Sequence, residues 1–238
     1  MPVAVVIPTY NERENIVPLI EGILALPLPS QVIVVDDNSP DGTGELVDSV
    51  SARAPGVEAI HRPAKLGLGT AHIAGIRRAL QRDCDPIITM DADFSHHPRY
   101  IPDLVAAMDE CDLCIGSRYV SGGSTLHCTL PRRFLSRGAN AFARVMLGLH
   151  AHDCTAGFRC YRGEALRRVP LDAIFSDGYS FLIEMLYLCQ RNGARVGEVP
   201  IVFENRRRGR SKISRREIAA AMYTVVRLAA RRMEAGWR

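Results

Sequence analysis

The chain lacks a long hydrophobic run. A membrane-spanning helix needs about 20 consecutive apolar residues, and the best stretch, Ile218 to Val226, is short and stops at Arg227, so no spanning segment is expected. A paired cysteine framework is missing as well. The seven cysteines, Cys84, Cys111, Cys114, Cys128, Cys154, Cys160 and Cys189, are odd in number and scattered, which argues against a secreted disulfide scaffold and for a reducing cytoplasm. Cys111 and Cys114 form a CxxC, but the surrounding DLCIGS reads as a strand and no second CxxC supplies the other ligands of a zinc site. The opening residues MPVAVVIPTY carry neither a charged leader nor a cleavage pattern and read as a buried strand rather than a signal peptide. Internal repeats, low-complexity segments and basic strands interleaved with aromatics are also absent. The last of these sets a nucleic-acid-binding function aside, because positive charge alone binds phosphates without reading bases.

What is present is a chain of 238 residues, 47% hydrophobic and 24% charged, the balance of one globular domain with a full core. Its net charge of +4 is unevenly placed. From Arg206 to Arg238 there are eleven Arg and Lys against Glu217 and Glu234, a net of +9, which leaves −5 for the rest. A basic tail suits an anionic partner such as phosphate or a lipid head group, and it equally suits a solvated helix face.

Val3 to Ile7 is a continuous apolar run that stops at Pro8, and a helical pattern through Ile16, Leu19, Ile20, Ile23 and Leu24 follows Asn11-Glu12. Gln31 to Val35 repeats this: a β-branched strand ends in Asp36-Asp37, and the turn NSPDGT leads into a helix from about Thr43. Strand–helix–strand units of this kind start a parallel sheet. Val57 to His61 is the third strand, followed by the loop Lys65-Leu66-Gly67-Leu68-Gly69-Thr70 and a helix carrying Ala71, Ile73, Ala74, Ile76 and Leu80. A helix over Ile101 to Met108 and a strand over Leu113 to Ser117 come later. The alternation then breaks: Ser121 to Arg133 is rich in Gly, Ser and Thr and is expected as a long loop before a helix from about Phe134 to Leu149. A loop of that length inside a compact domain is functional or mobile. A helical pattern ends near Arg191, and a strand is expected around Val196 to Phe203. Ser214 and Glu217 then form a capping box before an amphipathic helix with Ile218, Met222, Val225, Val226 and Ala229 on one face. Packing on the domain, lying on a membrane surface and meeting a partner helix are all open to that helix.

The stretch the chain is organised around is Ile87 to Pro98, IITMDADFSHHP. It reads as a buried strand that delivers Asp91 and Asp93 onto a loop past its end, where ligands bind in open α/β sheets. Hard divalent cations take oxygen ligands of this kind. An Asp-x-Asp after a strand also caps turns, and the pair alone leaves both readings open. A general acid/base pair is rejected, since glycosidase carboxylates flank the sugar about 5 to 9.5 Å apart from separate elements. His96 and His97 are open between metal ligation, loop packing and substrate contact.

Five segments in one order, PTYNERENI (8–16), DDNSPDGT (36–43), RPAKLGLGTA (62–71), MDADFSHHP (90–98) and GEVPIVFENRRRGRSK (197–212), resemble the family 2 glycosyltransferases. The likeness is nearest to the dolichol- and polyprenol-phosphate mannose synthases that lack transmembrane helices. The resemblance implies an α/β fold of the GT-A, Rossmann-like kind, with a mostly parallel central sheet flanked by helices, over residues 1–212, and a separate basic helix over 213–238. It also implies inverting, metal-dependent transfer of mannose from GDP-mannose to a polyprenyl monophosphate. The alternative is another nucleotide sugar, such as UDP-glucose, or a soluble acceptor. By this resemblance Pro8, Tyr10, Glu12, Asp36 or Asp37, Lys65 and Ala92 hold the nucleotide sugar, and Asp91 and Asp93 hold Mg²⁺ or Mn²⁺. Ser95 stands where relatives often carry a Gln as a further metal contact. Arg118 and Arg206 match charges around the donor and acceptor phosphates, with Arg132, Arg133, Arg137 and Lys212 as further candidates for the acceptor phosphate. The implied partners are the sugar donor, a polyprenyl phosphate, and either the membrane surface or a small membrane-anchoring protein. The implied location is the cytoplasmic face of a membrane.

Overall fold

The computed structural model describes residues 1–204 and 215–236. The predicted alternation appears as β1 (Val3–Thr9), α1 (Ile16–Leu24), β2 (Ser30–Asp36), α2 (Thr43–Ser51), β3 (Val57–His61), α3 (Leu68–Gln81), β4 (Ile87–Thr89), α4 (Ile101–Ala106) and β5 (Leu113–Ser117). The remaining elements are β6 (Ser124–Leu126), α5 (Leu130–Leu147), β7 (Arg159–Tyr161), α6 (Gly163–Arg167), α7 (Tyr179–Arg191), β8 (Val196–Pro200), β9 (Val202–Glu204) and α8 (Arg215–Gly236). Seven strands form one sheet in the order β3-β2-β1-β4-β7-β5-β8. All its pairings are parallel except those of β7, which runs antiparallel to both β4 and β5.

Strand alternation divides the core into two layers. Ala4, Val6, Ile33 and Val35 face a cluster completed by α3, α5, α7 and α8, while Val3, Val5, Ile7, Val32 and Val34 face one completed by α1, α2 and α4. Both faces of the central strands are therefore apolar, which is why they read as unbroken hydrophobic runs. Pro8 is tolerated in a central strand because β4 pairs only with Ala4 to Val6, so no ladder bond needs its missing N–H on that side.

Two expectations change. The stretch expected as a loop to Arg133 holds β6, which pairs in parallel with β9, and α5 starts at Leu130 with Pro131 in its first turn, where a proline's missing N–H costs nothing. The inner face of α8 is Thr224, Val225, Leu228 and Ala229, whereas Met222 and Val226 point outward; the expected stripe mixed the two sides. That inner face packs against α5 and α7. The expected boundary at residue 212 lies outside the described residues.

Candidate active site

The chain runs from β1 to β2 and β3 on one side and returns to β4 on the other. The loops after β1, β2 and β4 therefore meet at a topological switch point, the usual ligand crevice of such sheets. Thr9 at the end of β1 donates its hydroxyl to the Asp36 carboxylate (3.0 Å), which also accepts the Ser39 amide (2.9 Å). Asp37 accepts the amides of Leu66 (3.1 Å) and Gly67 (3.0 Å) and pairs with Arg62 at 2.6 Å. Burial pushes its carboxyl pKa up against those partners. Asp37 thus ties the loop after β3 to the end of β2. That loop delivers Lys65, whose Nζ sits 3.9 Å from the centre of the Tyr10 ring, so Tyr10 and Lys65 meet at the mouth. Glu12 lies deeper in the β1 loop, its amide donating to the Thr43 hydroxyl (3.0 Å). Asp177 accepts the Gly69 amide at 3.0 Å, and the loop bearing Asp177 is held from below by buried Glu184, which accepts the Ser176 amide at 2.9 Å.

Past β4 the chain turns sharply. Phe94 adopts φ +59°, a left-handed conformation that costs a bulky residue about 1–3 kcal/mol and is retained where function requires it. The turn buries Asp93 and Ser95 and leaves Asp91 partly exposed. Asp93 accepts the Ser95 amide at 3.0 Å. The Asp91 amide donates to Nδ1 of His96 at 3.2 Å, and that nitrogen lies 3.8 Å from the Asp91 carboxylate. His96 therefore packs the loop, stacked 5.2 Å from Phe158, and His97 caps the following turn by accepting the Arg99 amide (3.2 Å). The neighbouring loop passes close by at Gly157, where a Cβ would make an ordinary contact of 3.4 Å with the Asp91 carboxylate. Among the described residues no group of three or more His, Cys, Asp or Glu is placed to hold a metal. Two carboxylates with few further protein ligands fit a Mg²⁺ or Mn²⁺ ion that takes most of its oxygens from phosphate and water.

A second cluster stands at the end of β5. Arg118 donates through Nε and Nη2 to the fully buried Asp153 (both 2.7 Å) and through Nη2 to the Thr155 hydroxyl (2.9 Å). Burial opposes the guanidinium charge, but Asp153 outweighs it and raises the pKa. The Tyr119 ring lies 5.2 Å from the Arg118 guanidinium and 5.8 Å from that of Arg137, so both cations lie against one aromatic ring. Arg132 and Arg133 lie in the first turn of α5, partly buried. Arg206 and Lys212 lie outside the described residues. Phe203 joins the two clusters: its ring is 5.6 Å from His96 and 5.2 Å from Arg118.

Sequence reasoning missed Asp153, Thr155, Asn140 and Phe203. Asn140 on α5 accepts the Cys154 amide (2.6 Å) and donates to Thr155 (3.2 Å), fixing the loop that carries Asp153. None of these stands in a local motif. Pro8 stands within β1, one residue before its end, and Ala92 is buried in the turn past β4.

A sequence model of the family described as "Glycosyl transferase family 2" matches residues 4–169. The undecaprenyl-phosphate mannosyltransferase of Micrococcus luteus is 46% identical over 234 residues, 97% of this chain and 96% of its own length. The polyprenol monophosphomannose synthase of Mycolicibacterium smegmatis is 46% identical over 93% of this chain and 84% of its own. Among solved structures, mannosyl-3-phosphoglycerate synthase from Rubrobacter xylanophilus superposes with a TM-score of 0.69 at 23% identity, over 100% of this chain and 76% of that one. Glucosyl-3-phosphoglycerate synthase from Mycobacterium tuberculosis, crystallised with Mn²⁺ and UDP, gives 0.63 at 21% identity over 96% of this chain and 80% of that one. The structural likenesses bear out the fold.

Proposed function

The chain belongs to glycosyltransferase family 2, and from that premise we propose that it transfers mannose from GDP-mannose to a polyprenyl monophosphate. The observation that carries this reading is the juxtaposition through Phe203 of a carboxylate turn on one side and Arg118 on the other. The names of the two relatives at 46% identity support the same substrate class.

Two anions must meet in one cleft, the donor diphosphate and the acceptor phosphate. In this reading Asp91 and Asp93, with Ser95 beside them, hold Mg²⁺ or Mn²⁺. When bound, that ion supplies Lewis-acid stabilisation of the departing diphosphate. Tyr10, Glu12, Asp36, Asp37 and Lys65 shape the nucleotide pocket. The acceptor's nucleophilic oxygen is already ionised near neutral pH, so no strong base is required and neutralisation is the protein's task. Arginine suits this because its guanidinium stays charged and binds phosphate with directed N–H groups. Asp153 and Thr155 engage Nε and Nη2 of Arg118, which turns Nη1 toward the role of phosphate donor, with Arg132, Arg137, Arg206 and Lys212 as additional cations. Direct displacement inverts the α-linked donor to a β-linked lipid product. The reaction is assigned to the cytoplasmic face of a membrane, with the protein held peripherally and no anchoring partner invoked.

Labelled GDP-mannose and UDP-glucose, offered in parallel with polyprenyl phosphate and Mg²⁺ or Mn²⁺, test the reading. Organic-extractable label is expected from GDP-mannose alone, falling about a hundredfold or more in Asp93→Asn. Label from UDP-glucose alone, or from neither, rejects it.

A further inference from the structure

β7 carries a charge on a face where the sheet is otherwise apolar. Arg159 stands two residues before Tyr161 and so on the same side of the strand, the side turned to the apolar layer under α3, α5, α7 and α8. Its side chain is fully buried, yet among the described residues no carboxylate forms an ion pair with it. Burying a cation without such a partner is costly unless its donors are satisfied in another way. The proposed reaction gives this guanidinium no substrate to touch.

The donors of Arg159 go to main-chain carbonyls. Nε donates to that of Ala156 (2.8 Å), Nη2 to that of Cys154 (2.8 Å) and Nη1 to that of Leu182 in the first turn of α7 (2.7 Å). Two of these three acceptors lie between Asp153 and Gly157. The amides of the same segment are held from other elements: Glu198 accepts that of Asp153 at 3.0 Å, and Asn140 accepts that of Cys154. Asp153 and Thr155 alternate with the two residues whose carbonyls Arg159 holds, and their side chains engage Arg118. At Gly157 the hold passes to Thr89, whose hydroxyl donates to the Gly157 carbonyl at 2.9 Å. The part of the loop beside Asp91 therefore has its own support.

We propose that Arg159 is a positioning residue for the acceptor half of the site: it sets the path of the chain from Cys154 to Ala156, so that Asp153 and Thr155 meet Nε and Nη2 of Arg118. One guanidinium thus stands behind another, joined through five residues of loop. Arginine suits the task because it serves three carbonyls through three different nitrogens, whereas lysine keeps the charge on a single ammonium and lacks the Nε–H. The rival account is a buried charge that attracts the anionic substrates from a distance, and lysine would satisfy that one. The link to the acceptor rests on the proposed function; the hold on Asp153 does not.

The test compares the full chain with Arg159→Lys, with Arg159→Gln, and with each of these in an Asp153→Asn background. Gln removes the buried charge and keeps an amide donor, so it remains informative if Lys does not fold; urea unfolding reports folding in every case. Two readouts are taken: amide hydrogen exchange along the chain, and steady-state kinetics with GDP-mannose and a short prenyl phosphate varied in turn. In both single variants exchange at Cys154 and Thr155 is expected to quicken about tenfold, while that at Leu66 and Gly67, held by Asp37, stays as in wild type. kcat/KM for the acceptor falls about tenfold and the donor KM does not change. In the Asp153→Asn background the further loss shrinks below about twofold, because the group being positioned is already gone. Unchanged exchange at 153–157, equal losses for donor and acceptor, or full additivity with Asp153→Asn overturns the proposal. So does wild-type acceptor kcat/KM in Arg159→Lys together with its loss in Arg159→Gln, which would assign the effect to charge alone. Quickened exchange confined to 153–157, with no transfer to any prenyl phosphate by wild type or variants, upholds the hold on Asp153 and rejects the acceptor reading.

Discussion

Three of the five guanidinium N–H donors of Arg118 are engaged by Asp153 and Thr155. A lysine at this position keeps the charge but cannot hold Asp153 bidentately and reach a phosphate at once. Arg118→Lys is expected to lose about 2 kcal/mol of transition-state stabilisation, about 30-fold in kcat/KM for the acceptor, with the donor KM unchanged. Steady-state kinetics with each substrate varied checks it. A second residue-scale prediction concerns His72, fully buried with no hydrogen-bond partner for either ring nitrogen among the described residues and stacked 5.5 Å from Phe181. Burial, then the charges of Arg159 and His96, lowers its pKa from 6.5 to about 3. The folded state therefore binds fewer protons than the unfolded one below pH 6.5, and the stability its neutral form contributes is lost as pH falls from there toward 3. Between pH 7 and 5 the cost is about 2 kcal/mol, seen in urea unfolding and absent in His72→Phe. At this scale the motifs of the sequence point to Asp91, Asp93 and Tyr10 as candidates. The sequence hid Asp153, 35 residues from its partner Arg118, because pairing over that distance has no local periodicity.

Among the elements, α3 lies directly on β1 and β2 because Gly75 has no side chain: a Cβ there would collide with Val6 and crowd Val35 at 3.1 Å. Overpacking costs about 1–3 kcal/mol, which outweighs the helix-propensity gain of about 1 kcal/mol. Gly75→Ala is therefore expected to destabilise. Gly138→Ala in α5, where a Cβ would meet nothing within 4 Å, is expected to stabilise by up to about 1 kcal/mol. Opposite shifts in the urea midpoint check the pair. β5 was legible to the residue because a continuous apolar run marks a buried strand, and β3, only partly buried, because Pro55-Gly56 and Pro63 bracket it. The antiparallel β7 was not, since three residues carry too little pattern to give a direction. The start of α5 was masked by its exposed leucines and Pro131, which resemble loop composition until a helix is seen to carry an apolar face outward.

Across the whole molecule, the sheet's switch point gathers the β1, β2 and β4 loops, and β7 inserted between β4 and β5 sets the Arg118 cluster beside them. The central claim is that this crevice joins a donor sugar to a lipid phosphate in one displacement. The measurement that tests it most directly is the anomeric configuration of the purified lipid product made from GDP-mannose and polyprenyl phosphate. A single mannose linked β to the lipid phosphate is the expected result. An α-linked product, or mannose released to water with no lipid adduct, would contradict it.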